Sequence, residues 1–85
     1  MTRATYDEML DATRLLLRRH VPEARAIEPT DAIQKDLGVD SLGVMELVAD
    51  VEAKLGVVVP DDEVERLVTV EDVARALVRL RSAQP

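Results

Sequence analysis

Apolar residues recur at spacings of three and four in three separate stretches of this chain, and no other feature constrains its fold as much. Over residues 5–20, Tyr6, Met9, Leu10, Thr13, Leu16 and Leu17 fall on one face of an amphipathic helix. Arg18, Arg19 and His20 are placed in its last turn, where cations favour the helix dipole, and Pro22 stops it soon after. A second stripe, Val44, Leu47, Val48, Val51 and Leu55, predicts a helix over about residues 41–55 that ends on Gly56 as a left-handed cap. A third, Val70, Val73, Ala74, Leu77 and Leu80, predicts a final helix capped by Thr69, with Arg75, Arg79 and Arg81 on its exposed face. Asp72 at the third helical position makes a weak variant of the capping box.

Between these stretches, Pro60 opens a short helix over residues 61–67 with acids in its first turn. Val57, Val58 and Val59 form an extended run without a partner strand and are read as a buried loop. Residues 23–40 carry Pro29, Gly38 and no sustained period, which makes them a long loop. Ala32, Ile33 and Leu37 can pack one short turn of it onto the core; loops of this length in compact domains are usually functional or disordered, and the apolar residues here point to order. The expected architecture is all-α: a small four-helix bundle of three long helices and one short one, with a long loop between the first two long helices. The 85 residues allow one domain, residues 1–85, with ends that fray over about 1–4 and 82–85. Met1 and the short tails favour a free protein over an excised domain.

Composition narrows the function. At 47 % hydrophobic and 33 % charged residues, the chain is too apolar for a disordered acidic tail and too charged for a membrane protein. Its longest uncharged stretch, Leu55 to Pro60, has six residues and excludes both a membrane span and a signal peptide. The expected location is the cytoplasm. Without cysteine there is no disulfide, no thiolate metal site and no protein nucleophile of that kind. The net charge is −6, unevenly spread: residues 1–25 carry net +1, residues 26–72 net −10 and residues 73–85 net +3. That pattern excludes a phosphate-binding surface for nucleic acid and fits docking to a positively charged partner, or a solubilising surface. One aromatic residue, Tyr6, makes no stacking platform for bases.

Catalytic equipment is scarce. The lone His20 sits in an arginine-rich helix end and reads as a surface or capping residue, and nothing in the sequence brings it to Ser41. No glycine-rich phosphate loop and no paired-histidine motif is present. Asp61 and Asp62 open a helix, where capping explains them, and no loop of calcium-binding type exists. A binding module with no catalytic residues and no metal is the better class.

One segment asks for more: Asp36-Leu37-Gly38-Val39-Asp40-Ser41-Leu42, followed by Gly43-Val44-Met45-Glu46-Leu47. Asp40 can supply the helix cap, which leaves the Ser41 hydroxyl free and exposed at the helix start. With Glu46 five residues past the serine, Val57-Val58-Val59-Pro60-Asp61-Asp62 beyond, and a Thr69-capped last helix, the chain resembles the acyl carrier proteins from about Asp36 to Leu77. The resemblance implies a monomeric four-helix carrier whose Ser41 takes 4′-phosphopantetheine from coenzyme A. The prosthetic arm then brings the thiol that the chain lacks. It also implies a phosphopantetheinyl transferase, a ketosynthase, an acyltransferase and other synthase enzymes with basic docking surfaces as partners.

The chain offers no base for its serine, so base and metal ion come from the modifying enzyme, and the exposed hydroxyl serves in-line phosphoryl transfer. Leu42, Met45 and Ala49, spaced at three and four, can form an exposed apolar seam beside Glu46 and Glu52, with Met45 alternatively part of the core, and the resemblance places partner recognition on this helix. Asp40 has a role in capping or in binding the transferase. Leu47, Val51 and Leu55 could line a cleft that shelters an acyl chain. Against the commonest fatty-acid pattern, Gly43 replaces an acid, weakening the helix start by about 1 kcal/mol relative to alanine, and Ala53 stands where a further acid is common. Val57 to Asp62, with Arg66 following, looks more like free-standing polyketide carriers, and nine arginines against two lysines fit a GC-rich bacterial coding bias. Polyketide or related specialised biosynthesis is therefore expected ahead of housekeeping fatty-acid synthesis. A peptidyl carrier usually has Gly or His where Asp40 stands, and from a different class an unmodified helical adaptor remains the alternative.

Overall fold

The computed structural model describes residues 5–21 and 25–83, with side chains up to Arg81. Four helices follow one another: α1 (Tyr6–Leu17), α2 (Ser41–Leu55), α3 (Asp61–Val64) and α4 (Val70–Ala83). Among the described residues there is no strand, only a single antiparallel bridge between Ala32 and Thr69. The all-α bundle read from the periodicity is therefore the fold, and none of the described helices is long and apolar enough to cross a membrane.

Each helix start has a chemical cause. Thr5 caps α1 in a full capping box: its hydroxyl accepts the Glu8 N–H, and the Glu8 carboxylate accepts the Thr5 N–H, both at 3.2 Å. The Thr69–Asp72 box expected for α4 is present, with the Asp72 N–H donating to the Thr69 hydroxyl at 3.2 Å and the Thr69 N–H to Asp72 Oδ2 at 2.9 Å. α3 has no side-chain cap and starts instead on the Pro60 carbonyl, which accepts from the Glu63 and Val64 N–H groups. Gly56 closes α2 at φ 66°, the left-handed conformation its position required.

Three expectations are corrected. α1 ends at Leu17, not at His20; the His20 N–H turns back to the Leu17 carbonyl at 2.8 Å, so the cation of the last turn is Arg14. Past this turn Val21 joins the core. Pro22, assigned to the helix stop, lies outside the described residues. α3 ends at Val64 rather than Leu67, because the chain tightens through the Arg66 N–H bond to the Glu63 carbonyl. In the extended run, Val57 and Val59 are buried but Val58 is 70 % exposed, the alternation that an extended backbone imposes. α4 runs through Ala83, and residues 1–4 and 84–85, part of the ends expected to fray, lie outside the described residues.

The core is the meeting of the three stripes. Leu17 and Thr13 of α1, Leu47 and Val51 of α2, and Val70 and Leu77 of α4 are all almost fully buried, and α1 packs most extensively on α4. Val48, Leu55 and Leu80 sit at its margin, half-buried. The buried Thr13 hydroxyl donates to the Met9 carbonyl at 2.7 Å, which removes the cost of an unpaired polar group.

The long loop is built into this core. Ile27, Ile33, Leu37 and Val39 are buried, and Ala32 is half-buried. The Ile33 N–H donates to the Val68 carbonyl at 2.8 Å, and the Val70 N–H returns to the Asp31 carbonyl at 3.0 Å. Arg25 holds the loop's outer side, with Nη2 3.1 Å from both Asp31 carboxylate oxygens and Nη1 donating to the Asp36 carbonyl at 3.0 Å. Gly38, at φ 72°, then turns the chain into α2. The loop is thus fastened on both sides before it delivers Asp40 and Ser41.

Candidate functional site

At the start of α2 two adjacent residues have separate tasks. Asp40 is the N-cap, its Oδ1 accepting the Gly43 N–H at 2.8 Å. Ser41, the first helical residue, is exposed, and its hydroxyl has no hydrogen-bond partner among the described residues. A serine that capped the helix would have its oxygen occupied. Here it is free.

Position 43 explains part of this geometry and corrects an expectation. A Cβ added to Gly43 would come 2.6 Å from Val39 Cγ1 and 3.3 Å from Asp40 Oδ1. Glycine is therefore not simply a weak helix former here; Val39, itself buried, occupies the space a side chain would need. Neither alanine nor an acid fits without moving a stiff β-branched neighbour.

Ser41 stands at the edge of an open cleft of about 390 Å³ between the long loop, α2 and the α3–α4 connection. Val44, Met45, Val64, Leu67 and Val68 make most of its wall, while Gln34, Lys35 and Glu65 add polar groups. A second groove of about 370 Å³ continues along α2 past Val48 and Ala49, and Met45 and Val64 border both. The interior space beside Leu47 and Val51 measures about 10 Å³, room for one water at most, and Leu55 does not line it. The expected cleft in that place is closed, and the apolar space lies on the outer, Met45 side of α2.

The sequence-derived recognition residues are mostly brought together. Leu42 and Met45 are each 66 % exposed, and Glu46 and Ala49 are exposed on the same helix. Asp40 lies at the edge of this face with one carboxylate oxygen engaged in the cap. Glu52 differs: it is half-buried, and its Oε2 accepts the Val59 N–H at 2.8 Å, which fastens the segment leading to α3. His20 is not a surface residue. Its ring Nε2 lies 3.3 Å from Asp50 Oδ2, far along α2 from Ser41, and its side chain is mostly covered. No group of residues that could hold a metal ion occurs among the described residues.

Lys35, Gln34, Val64 and Val68 were not singled out by sequence, because only the fastening of the loop against residues 68–70 puts them around Ser41. The one available signal was Lys35 itself, one of three cations among the thirteen acids of residues 26–72.

A free hydroxyl on a rigid helix start beside an open apolar cleft, in a chain with no cysteine, is the arrangement of a carrier domain that receives its reactive group from outside. Comparison with known proteins agrees. A family model described as a phosphopantetheine attachment site matches residues 10–77. An acyl carrier protein of Streptomyces coelicolor is 39 % identical, with 94 % of this chain and 91 % of the relative aligned. One from Campylobacter jejuni is 35 % identical across 92 % of this chain and 97 % of its own length. The solved structure of a candidate acyl carrier protein from Mycobacterium tuberculosis superposes with a TM-score of 0.78, covering 84 % of this chain and 96 % of that one; at 24 % identity the likeness is one of fold.

The chain belongs to the acyl carrier protein family. It is a carrier, not an enzyme; its prosthetic group is covalent 4′-phosphopantetheine, and family members work with synthase enzymes. The residues fit that group. The Ser41 hydroxyl, without a partner among the described residues, would offer an attachment atom, backbone N–H groups of the first turn of α2 would favour a phosphodiester, and the cleft leaves room beside it.

Proposed function

We propose that Ser41 carries the phosphopantetheine arm and that the chain serves polyketide or related specialised biosynthesis. The observation that carries the first part is the division of labour between Asp40, which caps α2, and Ser41, whose hydroxyl is left unbonded and exposed. When bound, the arm supplies a thiol on which acyl groups travel as thioesters. The protein's own contribution is to hold the attachment atom rigidly, keep it accessible, and present a recognisable face beside it. Tethering raises the effective concentration of cargo at any docked enzyme without a strong interface.

Leu42, Met45, Glu46 and Ala49, with Asp40 at the edge, supply the face that a transferase, ketosynthase or acyltransferase with a basic surface would contact. Glu52 belongs to the support of that face. The pathway reading is favoured by Gly43, whose packing against Val39 leaves no place for the acid common in fatty-acid carriers. The cytoplasm is the expected location and a monomer the expected state.

Incubation with coenzyme A and a promiscuous phosphopantetheinyl transferase should raise the intact mass by one phosphopantetheine, and Ser41→Ala should abolish the gain. A wild type that stays unmodified with several transferases contradicts the assignment and favours the adaptor alternative. For the pathway, the acyl-loaded protein should be consumed faster by a polyketide ketosynthase than by a fatty-acid ketosynthase, and the reverse order would make it a housekeeping carrier.

A further inference from the structure

The cleft beside Ser41 carries a positive charge in the most acidic part of the molecule. Residues 26–72 hold thirteen acids and three cations. Of those cations, Arg66 approaches Glu63 at 3.9 Å and Lys54 lies in the last turn of α2, remote from the cleft. Lys35 is the third. It lines the same cleft as Ser41, is exposed, and makes no ion pair among the described residues. The neighbouring Asp36 turns its Oδ2 to the Ala32 N–H at 2.8 Å and makes no ion pair with Lys35. The loop segment that holds Lys35 is fixed by the Asp36 and Leu37 N–H bonds to the Ala32 carbonyl, at 2.8 and 3.1 Å. The charge is therefore delivered by a positioned backbone.

A phosphodiester joined to Ser41 would lie next to the Asp40 carboxylate, an unfavourable like-charge pair. The first-turn dipole of α2 offsets part of this, and one of its N–H groups, that of Gly43, is already taken by Asp40. A flexible ammonium across the cleft can supply the rest. We propose that Lys35 is the anion-binding residue of the Ser41 cleft and pairs with an anionic group of the loaded arm, in the first place its phosphodiester. This rests on Ser41 as the attachment residue. Glu65, on the same cleft, disfavours an anion on its own side, which directs such a group toward the Lys35 wall. A carboxylate at the end of a dicarboxylic cargo offers the same chemistry from a second source, provided the arm folds back.

The test uses three forms of the protein: the arm alone, the arm with a neutral acyl group, and the arm with a carboxylate-ended acyl group of equal length. Intact mass first establishes loading; its failure would concern the attachment site and not Lys35. Side-chain nitrogen and backbone amide resonances of Lys35, with those of Gln34 and Val68, are then followed by NMR against the unmodified protein. Perturbation by the arm alone, screened as salt is raised, identifies the phosphodiester. Perturbation only by the carboxylate-ended form identifies the cargo. In either case the effect should vanish in Lys35→Gln and persist in Lys35→Arg. No perturbation in any loaded form, or the same perturbation at Gln34 and Val68 in Lys35→Gln, overturns the proposal.

Discussion

Position 43 shows how a single atom governs the start of α2. Helix propensity alone favours Gly43→Ala by about 1 kcal/mol, but the added Cβ would sit 2.6 Å from Val39 Cγ1. Overpacking of this kind costs about 1–3 kcal/mol, so Gly43→Ala should destabilise in urea titration. Val39→Ala in the same chain should remove most of the added penalty, and a Gly43→Ala protein more stable than wild type would show that Val39 moves aside freely. Glu52 offers a second case. Truncating it to alanine leaves the Val59 N–H without its acceptor, a loss of about 1–3 kcal/mol, and hydrogen exchange at Val59 should accelerate. Glu46, exposed and without a partner among the described residues, should tolerate the same change with no loss. The sequence made the Asp40 cap and the free Ser41 hydroxyl legible, because both follow from local capping chemistry. It could not separate Glu46 from Glu52: the two look alike along the helix, and only the path of residues 57–59 decides which carboxylate is used.

Among the elements, the three long helices were readable because each has its own apolar stripe and its own start or stop residue. α3 is different. With four residues it cannot be stable alone. It is held by Glu52 on one side and, on the other, by Glu63, whose Oε1 accepts from Arg79 Nη1 of α4 at 3.3 Å. The second oxygen lies 3.0 Å from the same nitrogen, a contact of charge whose geometry falls short of a hydrogen bond. The long loop was legible as ordered from Ile33 and Leu37, but its attachment to residues 68–70 is a pairing of distant backbone groups that no local pattern reveals. α2, by contrast, is anchored by its stripe, and Leu47 is 1 % exposed. Leu47→Ala should therefore cost about 2–5 kcal/mol, comparable to the total stability of about 5 kcal/mol at the low end for small domains. Circular dichroism should find that variant largely unfolded, and a Tm close to wild type would place Leu47 outside the core.

For the whole molecule, the acidity divides into two parts. Asp31, Asp36, Asp40, Glu52 and Asp72 accept backbone N–H bonds, and Asp50, Glu63 and Glu71 face cationic or ionisable side chains. Glu46, Asp61, Asp62 and Glu65, on α2 and around α3, have no such partner among the described residues, and neither do Asp7 of α1 and Glu28 of the loop. Four of these six unpaired acids thus lie on α2 and around α3, and added salt should raise the Tm modestly by screening repulsion among the acids. Glu46→Lys should slow transfer of phosphopantetheine chiefly in the bimolecular rate constant, and more at low salt. Asp7→Lys, an equal change of charge on α1 that leaves the Thr5–Glu8 box intact, is the matched control. Equal slowing by both would reduce the effect to net charge. The central claim is that the folded helix start leaves one hydroxyl for the arm. The chain contains two serines, Ser41 and Ser82, so fragment-ion mass spectrometry of the modified protein tests this most directly. The account predicts all of the phosphopantetheine on the peptide that contains Ser41, at that residue. Modification at Ser82, at a threonine, or at several positions would contradict it.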